Sequence, residues 1–187
     1  MAMTKEVRLM ELRKVTVYPL ISDIDGEASA TYGEGVQVPG ILSLQVTPQI
    51  ETKTLYGDSR VKDVYSRVVG AEIQIENSLM SVEALAVIQG GKVTTEGSEG
   101  AQIKKYSFGE EDATPPYFKL EGEWTYAGSG IALAKVTVFK AKCTQAPDIT
   151  INDSSGDFGN LTAQISAVAL DSTGEWIDYN FYETKQA

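Results

Sequence analysis

Alternation of apolar and polar residues is the feature that most constrains this fold. It is clearest in Val61–Glu76, VKDVYSRVVGAEIQIE, whose second half places every other side chain on the same face. A period of two is typical of a strand that buries one face and leaves the other in water. The predicted buried residues are Ala71, Ile73 and Ile75, and the predicted exposed residues are Glu72, Gln74 and Glu76.

One segment has a helical pattern instead. Residues 81–89, SVEALAVIQ, begin with Ser81, whose hydroxyl suits the N-cap, and Glu83 lies where the helix dipole favours negative charge. Gly90 is predicted to end the helix because glycine readily adopts the positive φ found after many helices. A helix this short is marginal alone, so we expect it to pack on apolar surface.

Strand patterns cover most of the remaining chain. Tyr117–Ala127 and Ile131–Cys143 flank a Gly-Ser-Gly turn and are predicted to form a long hairpin. No internal repeat or linker interrupts the pattern, so we expect a single domain over residues 1–187. The predicted class is mainly β, an antiparallel β-sandwich or barrel-like fold with one short flanking α-helix. The other predicted strands are Glu6–Leu20, Gly40–Gly57, Lys104–Phe108, Asp148–Ile151, Asn160–Leu170 and Glu175–Glu183.

Loops are predicted where glycine, serine and acidic residues cluster. Gly57–Arg60, GDSR, is predicted to be the turn of a hairpin, and Ser22–Gly35 is predicted to be a loop. Gly90–Gln102 is predicted to be flexible because four of its residues are glycine.

The charge balance argues against nucleic-acid binding. The chain has 16 Lys and Arg against 26 Asp and Glu, a net charge of −10, whereas phosphate binding relies on clustered basic side chains. The single cysteine, Cys143, excludes an intrachain disulfide and is expected to be buried at a strand end. No signal peptide or membrane span is recognisable, so we expect a cytoplasmic protein without membrane association.

The sequence offers little catalytic chemistry. It contains no histidine and no nucleotide-binding or nucleophile-elbow motif. Asp23, Asp25 and Glu27 form a fragment of a calcium-loop pattern without its final glutamate, so a solvated turn is favoured over a cation site. Glu110–Asp112 is interpreted as a charged loop, because paired glycosidase carboxylates come from separate strands. We expect no enzymatic activity, no metal and no cofactor.

Aromatic residues in the late strands allow two interpretations. Placement in the core is favoured over a sugar-binding platform, because they lie in alternating strands. A monomeric carbohydrate-binding β-sandwich remains an alternative, and it requires Trp124 or Trp176 to be exposed. The residues concerned are Tyr117, Phe118, Trp124, Tyr126, Trp176, Tyr179, Phe181 and Tyr182.

Five segments, taken in order, resemble the major tail tube protein of long-tailed (siphovirus-type) bacteriophages. The resemblance covers about Thr52 to Tyr182 and rests on element order and local sequence, since that family has no catalytic signature. It implies a structural virion protein whose hexameric rings stack into a hollow tube. The segments are KTLYGDSRVKDV (53–64), GAEIQIENSLMSVEALAVIQG (70–90), PPYFKLEGEW (115–124), KVTVFKAKC (135–143) and GDFGNLTAQISAVALDSTGEWIDY (156–179).

The resemblance also implies where subunits meet. One sheet of each copy joins its neighbours in a β-barrel around the lumen, and the long hairpin, residues 51–67, reaches a neighbouring subunit or ring. The N-terminal arm, residues 1–14, and Gly90–Gln102 are expected to order only on stacking. The contact residues expected near the hairpin tip are Tyr56, Asp58, Arg60 and Lys62. The residues expected to face the lumen are Glu72, Gln74 and Glu76.

The implied partners are those of a phage tail. They are further copies of the chain, a tape-measure protein, a tail terminator and tail-tip or baseplate proteins, with assembly in the host bacterial cytoplasm. Double-stranded DNA would cross the lumen without specific binding, and a negative wall suits this because it repels phosphates, although the same charge would also keep a monomer soluble. The inner tube of a contractile tail or of a related secretion machine is an alternative with the same fold.

Overall fold

The computed structural model describes residues 11–79, 81–98, 101–112, 114–125, 133–149 and 161–182. These residues form a mainly antiparallel β structure with one short α-helix, as predicted. The strands are β1 (Glu11–Ser22), β2 (Thr31–Tyr32), β3 (Val36–Val38), β4 (Ile41–Gly57), β5 (Arg60–Asn77), β6 (Lys92–Glu96), β7 (Ile103–Ser107), β8 (Tyr117–Thr125), β9 (Leu133–Ile149), β10 (Leu161–Ala167) and β11 (Ile177–Tyr182). The helix is α1 (Val82–Gln89), and Glu110–Asp112 form a 3₁₀ turn.

Nine of the strands form one continuous sheet, and β9 joins its two halves. The order is β2-β1-β8-β9-β10-β5-β4, with β3 also paired to β1 and β11 to β9. The first half of β9 lies between β8 and β11, and its second half pairs with β10. Leu44 of β4 packs so closely over Gly122 of β8 that a β-carbon there would clash with it. The sheet therefore curls around one core, as in a sandwich or barrel.

Strand register places the apolar residues in a single layer. The predicted inward residues Ala71, Ile73 and Ile75 are all buried, which confirms the alternation in β5. Cys143 is buried too, as expected, and its thiol donates to the backbone oxygen of Gln145. Inward residues align across the strands in rows, among them Val17–Leu120–Val138 and Ile73–Ile165–Cys143.

The helix closes one end of this core. Ser81 is the N-cap and accepts a hydrogen bond from the backbone N–H of Ala84, and Gly90 follows the helix with φ +89°, so both predicted caps are confirmed. Leu85 and Ile88 are buried, and Ile88 belongs to the main apolar cluster. No helix in the described part of the chain has the length and apolarity needed to cross a membrane.

The structure corrects three predictions about chain segments. Gly90–Gln102 is not flexible throughout, because the β-branched residues of Lys92–Glu96 pair with β7 as strand β6. The arm predicted over residues 1–14 ends earlier, since β1 begins at Glu11 and Lys14 pairs with Glu123; residues 1–10 lie outside the described residues. The strand predicted from Asp148 is the end of β9.

We predict that replacing an inward residue of β10 will destabilise the fold much more than replacing its outward neighbour. Ile165→Ala removes a fully buried side chain and should lower the free energy of unfolding by about 2–5 kcal/mol. Gln164→Ala, on the exposed face, should change it by about 0.5 kcal/mol or less. Urea unfolding followed by tryptophan fluorescence measures both, and equal losses would contradict the assigned register.

Candidate assembly surfaces

The β4–β5 hairpin extends beyond the body of the fold. Past Gln49 and Gly70 the two strands pair only with each other, and we call residues 50–69 the ribbon. From Thr52 onward every ribbon residue except Gly57 is exposed. At about 3.3 Å per residue, ten residues on each side give the ribbon a length of roughly 30 Å.

The ribbon has two chemically different faces. One continues the core-facing side of β4 and carries aliphatic and hydroxyl side chains, and the hydroxyls of Thr52 and Ser66 lie 3.1 Å apart across it. The other carries charge, with Glu51 accepting two hydrogen bonds from the Arg67 guanidinium at 2.8 and 3.0 Å. We call the first the apolar face; it consists of Ile50, Thr52, Thr54, Val64, Ser66 and Val68.

Exposed apolar side chains are concentrated in the ribbon. Of the 18 large hydrophobic residues that are exposed in the described chain, eight lie between positions 50 and 69. Exposed apolar clusters of this kind mark interaction surfaces in soluble proteins. These eight residues are Ile50, Leu55, Tyr56, Val61, Val64, Tyr65, Val68 and Val69.

The four predicted contact residues come together at the ribbon tip. Tyr56 pairs with Val61, Arg60 pairs with Gly57, and both flank the turn. Lys62 forms an ion pair with Asp58 at 3.0 Å. The sequence analysis missed the aliphatic residues of the apolar face, although their alternation with Thr52 and Thr54 was a usable signal.

The sheet face opposite the core is entirely polar across four strands. Glu72, Gln74 and Glu76 point away from the core, as predicted, and their cross-strand neighbours are polar as well. We call this the polar face. Its three rows are Thr47–Glu72–Ser166–Lys142, Gln45–Gln74–Gln164–Gln145 and Ser43–Glu76–Thr162–Asp148.

The polar face is concave and carries little charge. An open depression of about 370 Å³ lies over its centre and is lined mainly by amide and hydroxyl side chains. Among its twelve residues, three are acidic and one is basic, so its net charge is −2. Glu72 accepts a hydrogen bond from the Gln49 amide at 2.5 Å, and Glu76 accepts one from the Ser43 hydroxyl at 3.5 Å.

Both outer strands beneath the polar face have a free edge in the described part of the chain. β4 pairs only with β5, and β9 beyond Lys142 pairs only with β10. A free edge leaves backbone N–H and C=O groups available to another strand. Each edge contains one proline, Pro48 in β4 and Pro147 in β9, and proline interrupts uncontrolled pairing because it has no N–H.

The acidic segment Asp23–Glu27 is neutralised from within the chain. The side chain of Asp23 is only 3% exposed and lies 2.7 Å from the Lys140 ammonium, which also contacts Asp171 at 2.6 Å. Burial alone would raise the pKa of Asp23, but hydrogen bonds from Lys140 and from the backbone of Asp171 and Ser172 lower it well below its usual value. Asp25 is exposed, and the described residues contain no cluster of three potential metal ligands.

A second charged cluster covers the outer side of β8. Glu121 accepts from the Tyr18 hydroxyl at 3.0 Å and from two ammonium groups, Lys119 at 2.9 Å and Lys135 at 2.6 Å. Burial raises the pKa of Tyr18 to about 12, with a further contribution from Glu121. Tyr32 donates to the backbone oxygen of Phe139, and burial likewise raises its pKa to about 12.

The remaining candidate residues do not form a recognisable binding site. Glu110 and Glu111 are exposed on the 3₁₀ turn, where Lys92 lies 3.5 Å from Glu111. Both tryptophans are partly buried: Trp124 packs on the apolar cluster, and Trp176 lies against Gly70. Phe118 is fully buried, whereas Tyr117, Tyr179 and Phe181 are exposed; Tyr126 lies outside the described residues.

Comparison with known proteins adds one distant structural match. No protein-family model and no curated protein matches the chain. Among solved structures, it is similar to a chain in the cryo-EM structure of the anti-feeding prophage (AFP) baseplate, 6-fold symmetrised, with 8% identity and a TM-score of 0.42 over 95% of this chain and 97% of that chain. A likeness of this degree carries no argument about function.

We predict that Lys140 is essential for stability and that Lys142, two residues further on, is not. Lys140→Met leaves the buried Asp23 carboxylate without its counter-charge and should cost about 2–3 kcal/mol. Lys142→Met removes an ammonium on the polar face and should cost less than about 1 kcal/mol. Urea unfolding at pH 7 measures both. Adding Asp23→Asn to Lys140→Met should restore part of the loss, and no recovery would contradict the assigned pairing.

We also predict an alkaline loss of stability caused by Tyr18 and Tyr32. Both pKa values are about 12 in the folded chain and about 10 in the unfolded chain. Their contribution is therefore complete below pH 10 and is lost as the pH rises towards 12. Absorbance at 295 nm should show two late-titrating phenols, which disappear in a Tyr18→Phe/Tyr32→Phe variant. Unchanged late titration in that variant would contradict the assignment.

Proposed function

We propose that this chain is the structural subunit of a phage-type tail tube. Copies would join side by side in hexameric rings, and the rings would stack into a hollow tube through which double-stranded DNA passes during ejection. The observation that carries this proposal is the ribbon, which exposes eight large apolar side chains and has no core of its own to cover them. The resemblance of five ordered sequence segments to tail tube proteins supports the same function.

The two free edges supply the geometry for a ring. An N–H and C=O row on β4 of one copy can pair with the row on the end of β9 of the next, and this head-to-tail contact repeats until the ring closes. Six copies with four strands each give a barrel of 24 strands. At a spacing of about 4.8 Å and a tilt of about 40°, this barrel is roughly 50 Å across between backbones, which leaves room for a DNA duplex.

In this ring the polar face lines the lumen. Glu72, Gln74 and Glu76 would then face the DNA, together with the amide and hydroxyl groups of the neighbouring strands. Neutral hydrogen-bonding groups with a slight negative excess do not hold phosphates, because phosphate binding needs several basic side chains on one surface. Such a wall allows a duplex to slide without specific binding.

The ribbon would bridge successive rings. Its apolar face would be covered by the next copy, while Tyr56, Asp58, Arg60 and Lys62 at the tip would make polar contacts that fix the orientation. Within the ribbon, four basic residues stand against three acidic ones, whereas the whole chain is strongly negative. A nearly neutral ribbon approaches another acidic copy without the repulsion that the rest of the surface would produce.

This function needs no catalytic group, metal or cofactor. The protein would belong to the virion tail, where the tape-measure, terminator and tail-tip or baseplate proteins would set the length and the two ends of the tube. The same subunit geometry serves a tube with or without a contractile sheath. A carbohydrate-binding module is less well supported, because Trp124 and Trp176 are both partly buried rather than presented on a platform.

We predict that the purified protein forms rings or tubes of uniform bore and that the ribbon's apolar face is required for this. Val64→Asp changes an exposed residue, so the fold should lose no more than about 0.5 kcal/mol, while tube formation should be abolished by a charge buried between copies. Ile103→Asp, an equally exposed change on β7, is the matched control and should assemble normally. Negative-stain electron microscopy and sedimentation measure assembly.

Two results would overturn the proposed function. The first is a wild-type protein that stays monomeric at high concentration even when seeded with tail fragments. The second is a solved assembly in which the sheets of each copy are self-contained and share no wall with their neighbours.

A further inference from the structure

The turn at the ribbon tip has an unusual composition for its geometry. Gly57 and Arg60 are paired, so the loop contains only Asp58 and Ser59, with φ of +52° and +62°. Positive φ at both central positions defines a type I′ turn, which strongly favours Asn-Gly. In the described part of the chain, these are the two residues other than glycine with positive φ.

This turn weakens the ribbon. A left-handed conformation at a residue with a β-carbon lowers the population of that conformation by roughly 5- to 30-fold relative to a right-handed one. Gly57, directly before the turn, has an ordinary φ and relieves none of this. The chain therefore places the one residue type that would stabilise the turn next to it rather than in it.

Little in a single copy compensates for the weak turn. The ion pairs Asp58–Lys62 and Glu51–Arg67 are largely exposed, and such pairs contribute little. From Thr52 to Val68 the side chains lie outside the body of the fold. An isolated two-stranded hairpin is marginally stable at best in water. The ribbon's formation in a free subunit is therefore finely balanced.

We propose that the Asp58–Ser59 turn limits spontaneous self-assembly by keeping the ribbon only partly formed until another copy covers its apolar face. This inference rests on the proposed tube function. The apparent affinity between copies falls in proportion to the fraction of subunits whose ribbon is formed. A free subunit would therefore add to an existing tube end, which holds the ribbon in place, more readily than to another free subunit. The turn thus favours growth over new nucleation.

The test compares turn variants with a matched control. Asp58→Asn/Ser59→Gly supplies the preferred type I′ residues, and Asp25→Asn/Ser28→Gly makes the same chemical changes in an exposed loop where neither residue has positive φ. Tryptic cleavage at Arg60 and Lys62 reports the open ribbon and should slow roughly tenfold in the turn variant alone. The lag before unseeded assembly, followed by light scattering, should shorten several-fold in that variant and remain unchanged in the control.

A third variant tests the opposite direction. Ser59→Val introduces a β-branched residue that resists positive φ, so ribbon cleavage should accelerate and the lag should lengthen, while seeded tubes should still elongate. A better protected ribbon with an unchanged lag would overturn this inference and leave the tube function intact. If neither wild-type protein nor any variant forms rings or tubes at any concentration, both the inference and the tube function are overturned.

Discussion

Strand register across β4, β5, β10 and β9 is the constraint on which the rest of this structure depends. It places Ile73, Ile165 and Cys143 in one buried row and Gln74 and Gln164 in an exposed one. Because side chains alternate with a period of two, a shift of one residue would exchange these faces and put amides into the core. The buried core and the continuous polar surface are therefore two results of the same hydrogen-bond pattern. Any function of that surface is fixed by the packing beneath it.

The same alternation continues where there is no core to receive it. At Gln49 and Ile50 the register shifts, leaving Val69 without a partner on β4, and the hairpin separates from the body. β-Bulges bend strands and end sheet pairing at such positions. Beyond this bulge the apolar side of β4 carries on through Ile50 and Thr52, so the ribbon presents a core-like face to solvent. A chain with this pattern is chemically complete only in contact with another surface.

Local patterns in the sequence predicted most of the fold but few of the long-range contacts. The strands, the Ser81 and Gly90 caps and the outward row beginning at Glu72 were all readable, because each depends on nearby residues. Strand β6 was missed because glycines on both sides of it resemble a flexible loop. The ion pair of Lys140 with Asp23 joins residues 117 positions apart, and no local pattern indicates which distant acid will meet a given lysine. The free edges of β4 and β9 likewise depend on the strand order of the whole sheet.

The place of Lys140 beneath the Asp23 loop has a consequence for how this protein tolerates its surroundings. Loops rich in acidic residues are often held by a divalent ion, and their order then depends on the free concentration of that ion. Here the counter-charge belongs to the polypeptide, so it cannot be diluted away or taken by a chelator. Particles built from such subunits would keep this corner intact in the ion-poor media in which calcium-dependent capsids and fibres come apart.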